Sequence, residues 1–257
     1  MPTNTFNLSR LRENLTPFRL HWFPRLTSTN DHAAKMRKAG RLYAPAIVLT
    51  GRQTKGRGRG SNVWFSAGGS LTVTFALPVG GGIQPHQLPL IAGLAVRNAT
   101  AELTGDNGVQ LKWPNDLLYG GRKLAGLLCE RMENVDLIGV GLNVNLNPTD
   151  APPNLQERIT SLAKIAGRHF DLSDVLISVA RNLRQMLIGG AERPFSHVLM
   201  EYDSHHALIG RKVSVIVGNG EPPIFGRVEG LDEMGRLLLR ARGMLHHVIA
   251  GQVHEGY

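Results

Sequence analysis

The pattern of apolar and polar positions predicts strands and one long helix in the first half of the chain. Alternation over 20–26 indicates a strand, and the β-branched run 46–50 and the alternating stretch 70–77 indicate two more. Apolar residues recur at helical spacing over 85–103, and Gly105 follows them. This stretch therefore predicts a helix that packs on the core.

Closely spaced strand-like segments fill the middle of the chain. The two longest meet near Glu133 and Asn134, which predicts a hairpin. Adjacent strands with short connections favour a mixed, largely antiparallel sheet with helices covering one face, an α+β fold. We predict these strands at 109–113, 117–119, 123–131 and 135–145, and later helices with core-facing leucines at 159–166, 172–188 and 194–206.

After residue 208 the pattern changes to short strands separated by turns, which we place at 212–217, 224–231, 237–240 and 246–250. About fifty residues of such strands predict a small barrel of SH3-like type. The chain then divides into a lead-in with little periodicity (1–19), a main domain (20–206) and a C-terminal barrel (207–257).

Composition indicates a globular protein of a reducing compartment. The 257 residues can bury a sizeable core, and no apolar run is long enough to cross a bilayer. The single cysteine, Cys129, excludes an intrachain disulfide and lies in an apolar run, so we interpret it as a buried small hydrophobe. The N-terminus lacks the apolar segment of a signal peptide, and we expect a cytoplasmic protein.

The most distinctive basic stretch is 56–60, where Arg57 and Arg59 alternate with glycines, including Gly58. A formal net charge of +9 favours a polyanionic or phosphorylated partner. Arginine suits phosphate and carboxylate oxygens, and predicted strands hold both ends of this loop, so it predicts an anion site. A solvated basic linker is the alternative that composition alone favours.

A run of small polar residues at 27–30 precedes a predicted helix at 31–39. Its composition is typical of a helix N-cap. A cap needs one side chain, so the remaining hydroxyl and amide groups of Ser28, Thr29 and Asn30 are candidates for binding a polar ligand. Capping alone remains the alternative.

Two further stretches carry candidate chemistry. Asn115 and Asp116 follow Lys112 and Trp113, and their oxygens suit hydrated Mg²⁺ or a sugar hydroxyl, although Pro-Asn-Asp is also an ordinary turn. Lys123 follows a glycine turn and could hold an ammonium between two anionic reactants, although one lysine in a hairpin is more often surface charge.

The stretch 139–145 places glycines inside a strand, where a ligand or another backbone can approach closely, and Asn143 offers both a donor and an acceptor. Tight packing on a helix is the alternative. The pairs at 205–206 and 246–247 lack a second ligand-bearing element, so we interpret these histidines as surface or linker residues. No metal-ligand cluster and no Ser/His/Asp arrangement is evident.

Taken together and in order, these motifs resemble those of the biotin protein ligases, also called biotin–acetyl-CoA-carboxylase ligases. The matching motifs are the polar run 27–30, Gln53 ahead of the Arg/Gly loop, the stretch 112–116, the Arg-Lys-Leu-Ala-Gly run 122–126 and the glycine strand 139–143. The resemblance extends from about residue 20 to the end of the chain.

This resemblance implies a fold and an activity. The family has a class II synthetase-like catalytic domain, activates biotin with ATP to biotinyl-5'-AMP, and passes the biotinyl group to one lysine of a biotin carboxyl carrier domain. Its cofactors would be ATP and Mg²⁺. The resemblance is compatible with a homodimer and implies no membrane partner.

The resemblance also implies residue roles. Lys123, Arg57 and Arg59 would act at the reacting centre, with Lys123 between the biotin carboxylate and the α-phosphate. The residues implied to bind biotin or the adenylate are Ser28, Thr29, Asn30, Gln53, Arg57, Gly58, Arg59, Lys123 and Gly126. Those implied to face ATP, its metal or its phosphates are Arg59, Trp64, Lys112, Asn115, Asp116 and Asn143.

The chain departs from the family pattern in two places. Members often continue the basic loop with another basic residue and a glycine, whereas this chain has Gly60 and Ser61. About twenty residues precede the first strand, too few for the winged-helix domain of some members, so we expect no DNA partner.

Two other functions remain as alternatives to a biotin protein ligase. One is a lipoate or octanoyl-protein ligase. The other, from a different class, is a basic nucleic-acid-binding protein, although only three Trp, four Tyr and eight Phe are available for base stacking.

Overall fold

The computed structural model describes residues 5–187, 194–218 and 221–256. Within the first 143 residues the elements are α1 (Leu8–Asn14), β1 (Arg19–Phe23), α2 (Thr29–Lys38), β2 (Ala46–Thr50), β3 (Gly56–Arg57), β4 (Val63–Trp64), β5 (Ser70–Pro78), α3 (Leu88–Thr104), β6 (Gln110–Lys112), β7 (Asp116–Tyr119), β8 (Arg122–Met132) and β9 (Val135–Asn143). A 3₁₀ turn (Pro148–Asp150) and the helices α4 (Pro153–Gln156), α5 (Leu162–Ala166), α6 (Leu172–Leu187) and α7 (Phe195–Ser204) follow.

Seven strands form one sheet in the order β1-β2-β5-β9-β8-β7-β6. Only β1 and β2 pair in parallel, and every other neighbouring pair is antiparallel. The predicted mixed, largely antiparallel sheet is therefore confirmed, as is the hairpin near Glu133 that joins β8 to β9. Glu133 has φ 53°, the left-handed conformation of this tight connection.

The two central strands, β5 and β9, separate the main core from a small-residue surface. Successive side chains on a strand point to opposite faces. The apolar set faces the main core beneath α3 and α6 and comprises Leu71, Val73, Phe75, Ile138, Val140 and Leu142. The alternate positions form what we call the polar face, made of Ser70, Thr72, Thr74, Gly139, Gly141 and Asn143.

Helices cover both faces of the sheet, not one face as predicted. On β2, Ile47 and Leu49 join the main core, whereas Ala46 and Val48 pack in a second cluster with Ala33 of α2. A strand that is apolar on both sides has to be covered on both sides. Helix α2 provides the second cover, beside the polar face.

The first residues are more ordered than the predicted lead-in. Helix α1 begins after Asn7, whose side chain accepts a hydrogen bond from the Arg10 backbone, and it buries Leu11 in the main core. The signal was present, since Leu8, Leu11 and Leu15 follow helical spacing, but a seven-residue helix gives only a weak pattern. Its stability comes from this burial.

The structure revises the interpretation of the first histidine pair and agrees with that of Cys129. His206 is buried at the end of the main domain, not exposed, and its ring packs edge-on against Tyr202. His205 is half-buried. Cys129 packs against the main core, and burial raises the pKa of its thiol well above the usual value, as expected for a non-nucleophilic residue.

The C-terminal residues form the predicted compact antiparallel unit. Its strands, in the order β13-β12-β11-β10-β14, are β10 (Lys212–Ile216), β11 (Ile224–Leu231), β12 (Leu237–Ala241), β13 (Met244–Val248) and β14 (Gln252–Glu255). Strand β14 was not predicted. Ile188 and the turn residues Asn219 and Gly220 lie outside the described residues.

A turn between β11 and β12 docks the C-terminal unit onto the main domain. The Trp113 indole donates to the Gly235 carbonyl at 3.4 Å, and the Gln87 amide donates to the Met234 carbonyl at 3.2 Å. Val213 and Leu239 of this unit belong to the same core cluster as the main domain. The proposed boundary near residue 207 therefore divides a continuous core.

Among the described residues, no helix has both the length and the apolar character needed to cross a membrane.

We predict that Asp232→Asn destabilises this docking turn. Asp232 accepts hydrogen bonds from the Met234 and Arg236 backbones, at 3.0 and 2.9 Å, and from His247 at 2.7 Å. Burial acts to raise the pKa of Asp232, but the His247 and Arg236 hydrogen bonds outweigh it and hold this pKa below its usual value. The carboxylate therefore stabilises the fold above its unfolded pKa, and this contribution disappears as pH falls through the folded pKa.

In denaturant titrations at neutral pH, the unfolding free energy of Asp232→Asn should be about 1–3 kcal/mol lower than that of wild type. This difference between the two proteins should become smaller in acid, where the Asp232 carboxylate is protonated. Glu229→Gln, which removes an exposed carboxylate paired with Arg240, is the control and should leave the unfolding midpoint close to that of wild type, because solvent screens an exposed ion pair. Equal unfolding midpoints for wild type and Asp232→Asn at neutral pH would contradict the assignment.

Candidate active site

The polar run at the start of α2 forms one cluster with Gln53. Ser28 is the helix N-cap, and its hydroxyl accepts from the Asp31 backbone at 3.4 Å. The backbone N–H and the hydroxyl of Thr29 both donate to Gln53 Oε1, at 2.7 and 3.1 Å. The cap therefore uses only Ser28, and Thr29 joins the helix to the segment that leads into the Arg/Gly loop.

Asn30 is a buried junction between α2, β5 and β8. Its amide donates to the Leu128 carbonyl at 3.0 Å and to Glu130 Oε2 at 2.8 Å, and its Oδ1 accepts from the Thr74 hydroxyl at 2.6 Å. A Cβ at Gly139 would lie 2.4 Å from Asn30 Oδ1. Gly139 is thus required for this approach, and both amide donors of Asn30 already have partners.

The Arg/Gly loop has a defined conformation. Gly56 pairs with Trp64 and Arg57 with Val63, which makes a minimal hairpin of β3 and β4. A Cβ at Gly56 would lie 2.5 Å from the Trp64 carbonyl oxygen, so glycine is needed there. Gly58 completes the turn by donating its backbone N–H to the Asn62 carbonyl at 2.8 Å.

The two loop arginines are held by different parts of the protein. Arg57 contacts Asp31 and lies 2.9 Å from Glu130 Oε1, whereas Arg59 donates to the Gly251 carbonyl of the C-terminal unit at 2.8 Å. The hydrogen bond with Asp31 chiefly raises the pKa of Arg57, and burial lowers the pKa of Arg59. Both guanidinium groups nevertheless remain charged.

Lys123 is positioned by a bulge and by a glycine. Leu117 pairs with Ala125 and Leu118 with Lys123, so one extra residue on β8 interrupts the register. Such bulges re-aim side chains. The Lys123 ammonium lies 2.6 Å from Asp116 Oδ1, and a Cβ at Gly126 would lie 3.2 Å from Lys123 Nζ. The missing side chain at Gly126 therefore leaves room for this ion pair.

Two buried polar atoms at the polar face lack a partner. The Trp64 indole lies over Gly141, where a Cβ would be 2.4 Å from Trp64 Cε2. Neither Trp64 Nε1 nor Ser70 Oγ makes a hydrogen bond within the described part of the chain. Because burying an unsatisfied polar group is costly, these atoms are candidates for contact with a polar ligand.

The remaining predicted residues divide between the site and its supports. Asn143 is buried and donates to the Lys123 carbonyl at 3.4 Å. The backbone turns at 113–115 between β6 and β7, as in the turn interpretation, and the Asn115 amide donates to the Leu127 carbonyl of β8 at 2.7 Å. Lys112 extends to Glu255 of the C-terminal unit, at 3.0 Å. Sequence analysis missed Ser70, Glu130 and Gly251; for Ser70 alone a signal existed, its place in an alternating strand.

A cavity of about 500 Å³ lies beside the Lys123 strand. It is lined by the β7–β8 turn with Arg122, by the segment from Asn147 to Thr149, and by Thr160 and Lys164. The Thr160 backbone donates to the Lys123 carbonyl at 3.0 Å, which links the cavity wall to the lysine. No group of three or more His, Cys, Asp or Glu residues suited to a metal occurs among residues 5–187, 194–218 and 221–256.

Two family descriptions match the chain. Residues 22–147 match the Biotin/lipoate A/B protein ligase family, and residues 208–253 match the Biotin protein ligase C terminal domain. The biotin–[acetyl-CoA-carboxylase] ligase of Mycobacterium tuberculosis is 31% identical over 236 residues, covering 88% of this chain and 85% of that protein. The Paracoccus denitrificans protein of the same name is 30% identical, with 90% and 98% covered.

A longer relative and the solved structures agree with this assignment. The bifunctional ligase/repressor BirA of Bacillus subtilis is 30% identical over 82% of this chain, which spans 66% of that relative's length. The biotin protein ligase of Aquifex aeolicus in complex with biotin and ATP superposes with a TM-score of 0.82 at 29% identity, covering 93% of this chain and 99% of that one. Together with the polar face and its arginine loop, these similarities show that the chain belongs to the biotin protein ligase family.

Proposed function

We propose that this protein activates biotin with ATP to biotinyl-5'-AMP and transfers the biotinyl group to a lysine of a biotin carrier domain of the acetyl-CoA carboxylase type. The observation that carries the proposal is the position of Lys123, with its ammonium beside Gly126 and Asp116 at the edge of the polar face. The Aquifex aeolicus relative binds biotin and ATP, which supports the same pair of ligands here.

The first step joins two anions. A biotin carboxylate oxygen attacks the α-phosphorus of ATP, and the bond to the bridging oxygen of pyrophosphate breaks. A cation between the carboxylate and the phosphate lowers their repulsion and stabilises the charge that develops in the transition state. We assign this role to Lys123, whose ammonium is held by Asp116 in the free protein.

Mg²⁺ fits this arrangement although no multidentate cage exists in the described residues. A magnesium ion bound to nucleotide phosphates needs only one or two protein carboxylates. Asp116 is the carboxylate we propose, since the α-phosphate would draw Lys123 away from it. The ion would supply charge neutralisation on the phosphates of ATP.

The second step forms the product. The carrier lysine amine attacks the acyl carbon of biotinyl-5'-AMP, AMP leaves with the electrons of the anhydride bond, and the amine loses a proton. Until the carrier arrives, the mixed anhydride has to be kept from water. We assign that task to the Arg/Gly loop, with Arg57, Arg59 and Trp64 ordered over the ligand.

The polar face and the cavity divide the substrates between them in this proposal. Biotin would lie along the polar face with its ureido ring towards the cluster of Ser28, Thr29, Asn30 and Gln53. The nucleotide would extend past Asn143 towards the cavity, whose volume of about 500 Å³ is in the range of small-molecule sites. Lys112 of β6, which is held by Glu255 of the C-terminal unit, would support the nucleotide end.

A carrier domain is favoured over nucleic acid as the partner because Asp31 and Glu130 engage Arg57, and the Gly251 carbonyl engages Arg59, so the loop is not an open phosphate-binding surface. Cytoplasmic location, a homodimer, the absence of DNA binding and the domain division near residue 207 stay predictions.

The proposed function is tested by incubating the protein with biotin, MgATP and a purified biotin carrier domain, then measuring the intact mass of the carrier. We expect the gain of one biotinyl group and none with lipoate. In a parallel assay, biotin but not lipoate should raise the thermal unfolding midpoint. An unmodified carrier, or modification by lipoate alone, would refute the assignment.

We predict that Lys123→Ala slows adenylate formation at least about 100-fold, the usual cost of losing one group that stabilises a transition-state charge. The lysine side chain is partly exposed, so the fold should persist. Biotin-dependent ATP–pyrophosphate exchange measures the rate, and Lys38→Ala on the exposed surface of α2 serves as the matched control. Exchange at the wild-type rate in Lys123→Ala would remove this residue from the reacting centre.

We also predict that Arg57→Ala and Arg59→Ala release biotinyl-5'-AMP faster, because each substitution removes an anchor of the loop. Promiscuous labelling of lysines on an unrelated protein, followed by mass spectrometry, reports the escape. Arg240→Ala, which breaks an exposed ion pair in the C-terminal unit, is the control. Labelling no higher than in wild type would argue against closure by this loop.

A further inference from the structure

Glu130 joins two parts of the site that are far apart in sequence. It lies on β8, where its backbone pairs with Leu137 of β9. One carboxylate oxygen, Oε2, accepts from the Asn30 amide at 2.8 Å, and the other, Oε1, accepts from Arg57 at 2.9 Å. The same side chain therefore contacts both the buried start of α2 and the Arg/Gly loop.

Asp31 is the second anion on Arg57. The two terminal nitrogens of the guanidinium bind different carboxylates, Nη1 to Asp31 and Nη2 to Glu130. We call the three residues Arg57, Asp31 and Glu130 the Arg57 clasp. Arginine suits this geometry because its planar fork can donate in two directions at once, which a lysine ammonium does less well.

The two carboxylates differ in what else they hold. The Asn30 amide donates to Glu130, and Asn30 also accepts from Thr74 on the polar face. Asp31 lies in the first turn of α2 and follows Asn30 in sequence, and its side chain contacts the loop through Arg57. Substituting Glu130 therefore removes contacts to both Asn30 at the polar face and Arg57 in the loop. Substituting Asp31 removes only the contact to Arg57.

We propose that Glu130 is a positioning residue that couples the biotin end of the site to closure of the Arg/Gly loop, with Asp31 as its partner on the loop side. The inference rests on the proposed function. By fixing Asn30, Glu130 positions the Thr74 contact at the proposed biotin end of the polar face, and by fixing Arg57 it holds the loop near its closed position before the adenylate forms. Because the loop is already partly ordered in the free protein, ligand binding has a smaller entropic cost.

The effect of the clasp on adenylate loss should be modest, because its side chains are partly exposed, by 43% for Arg57 and 33% for Glu130. Each exposed ion pair changes an equilibrium by at most roughly fivefold. We therefore expect about threefold faster loss of bound biotinyl-5'-AMP in Glu130→Gln and in Asp31→Asn.

The first experiment measures adenylate loss after a single turnover with biotin and MgATP, together with the KM for biotin. Glu130→Gln should raise both the loss rate and the KM, since it alters Arg57 and Asn30 together, whereas Asp31→Asn should raise the loss rate alone. In an Arg57→Ala background neither substitution should increase the loss further. Glu229→Gln, which changes a similar ion pair in the C-terminal unit, should leave both quantities at wild-type values.

The second experiment needs no substrate. Trypsin should cleave the free protein within 55–59 about threefold faster in both variants, because the clasp restrains the loop; thermal unfolding midpoints control for global destabilisation. The clasp would be overturned if both variants were cleaved by trypsin, and lost bound adenylate, at the same rates as wild type. It would also be overturned if the two substitutions increased the rate of adenylate loss as much in the Arg57→Ala background as in wild type. If wild type forms no adenylate, the proposed function fails, and the cleavage rates still decide whether the clasp exists.

Discussion

The alternation of side chains on β5 and β9 is the constraint on which the rest of the structure depends. One set of positions, including Val73 and Val140, is apolar and holds the sheet against α3 and α6. The other set contains glycines and small polar residues, which let neighbouring side chains approach the strand backbone more closely than larger residues would. Asn30 and Trp64 approach the backbone closely at Gly139 and Gly141, and this is the surface on which we propose that the ligand binds.

The cations of the site are paired before any ligand is bound. Lys123 is paired with Asp116, Arg57 with Asp31 and Glu130, and Lys112 with Glu255, while Arg59 meets a carbonyl. An excess of like charge in a partly buried groove would be costly without such partners. An anionic ligand then exchanges one set of partners for another, so binding and rearrangement of the loop are expected to occur together.

Sequence patterns predicted the elements whose signals are local. The strand 46–50 has the predicted bounds, and the hairpin near Glu133 follows from two apolar runs with a short connection. Glu130 could not be predicted, because its role depends on the β8–β9 register and on a contact with Asn30 across 100 residues. The Arg59–Gly251 contact spans 192 residues and ends on a backbone carbonyl, which no side-chain pattern reveals.

The central claim is that the polar face holds the acyl-adenylate. It is tested most directly by a crystal structure of the protein with a non-hydrolysable biotinyl-adenylate analogue. The account predicts density for the analogue along Gly139 and Gly141, with its phosphate-like group beside Lys123 and with Arg57 and Arg59 ordered around it. An analogue bound elsewhere, with the polar face still covered by Trp64 and Lys123 still paired only with Asp116, would contradict the account.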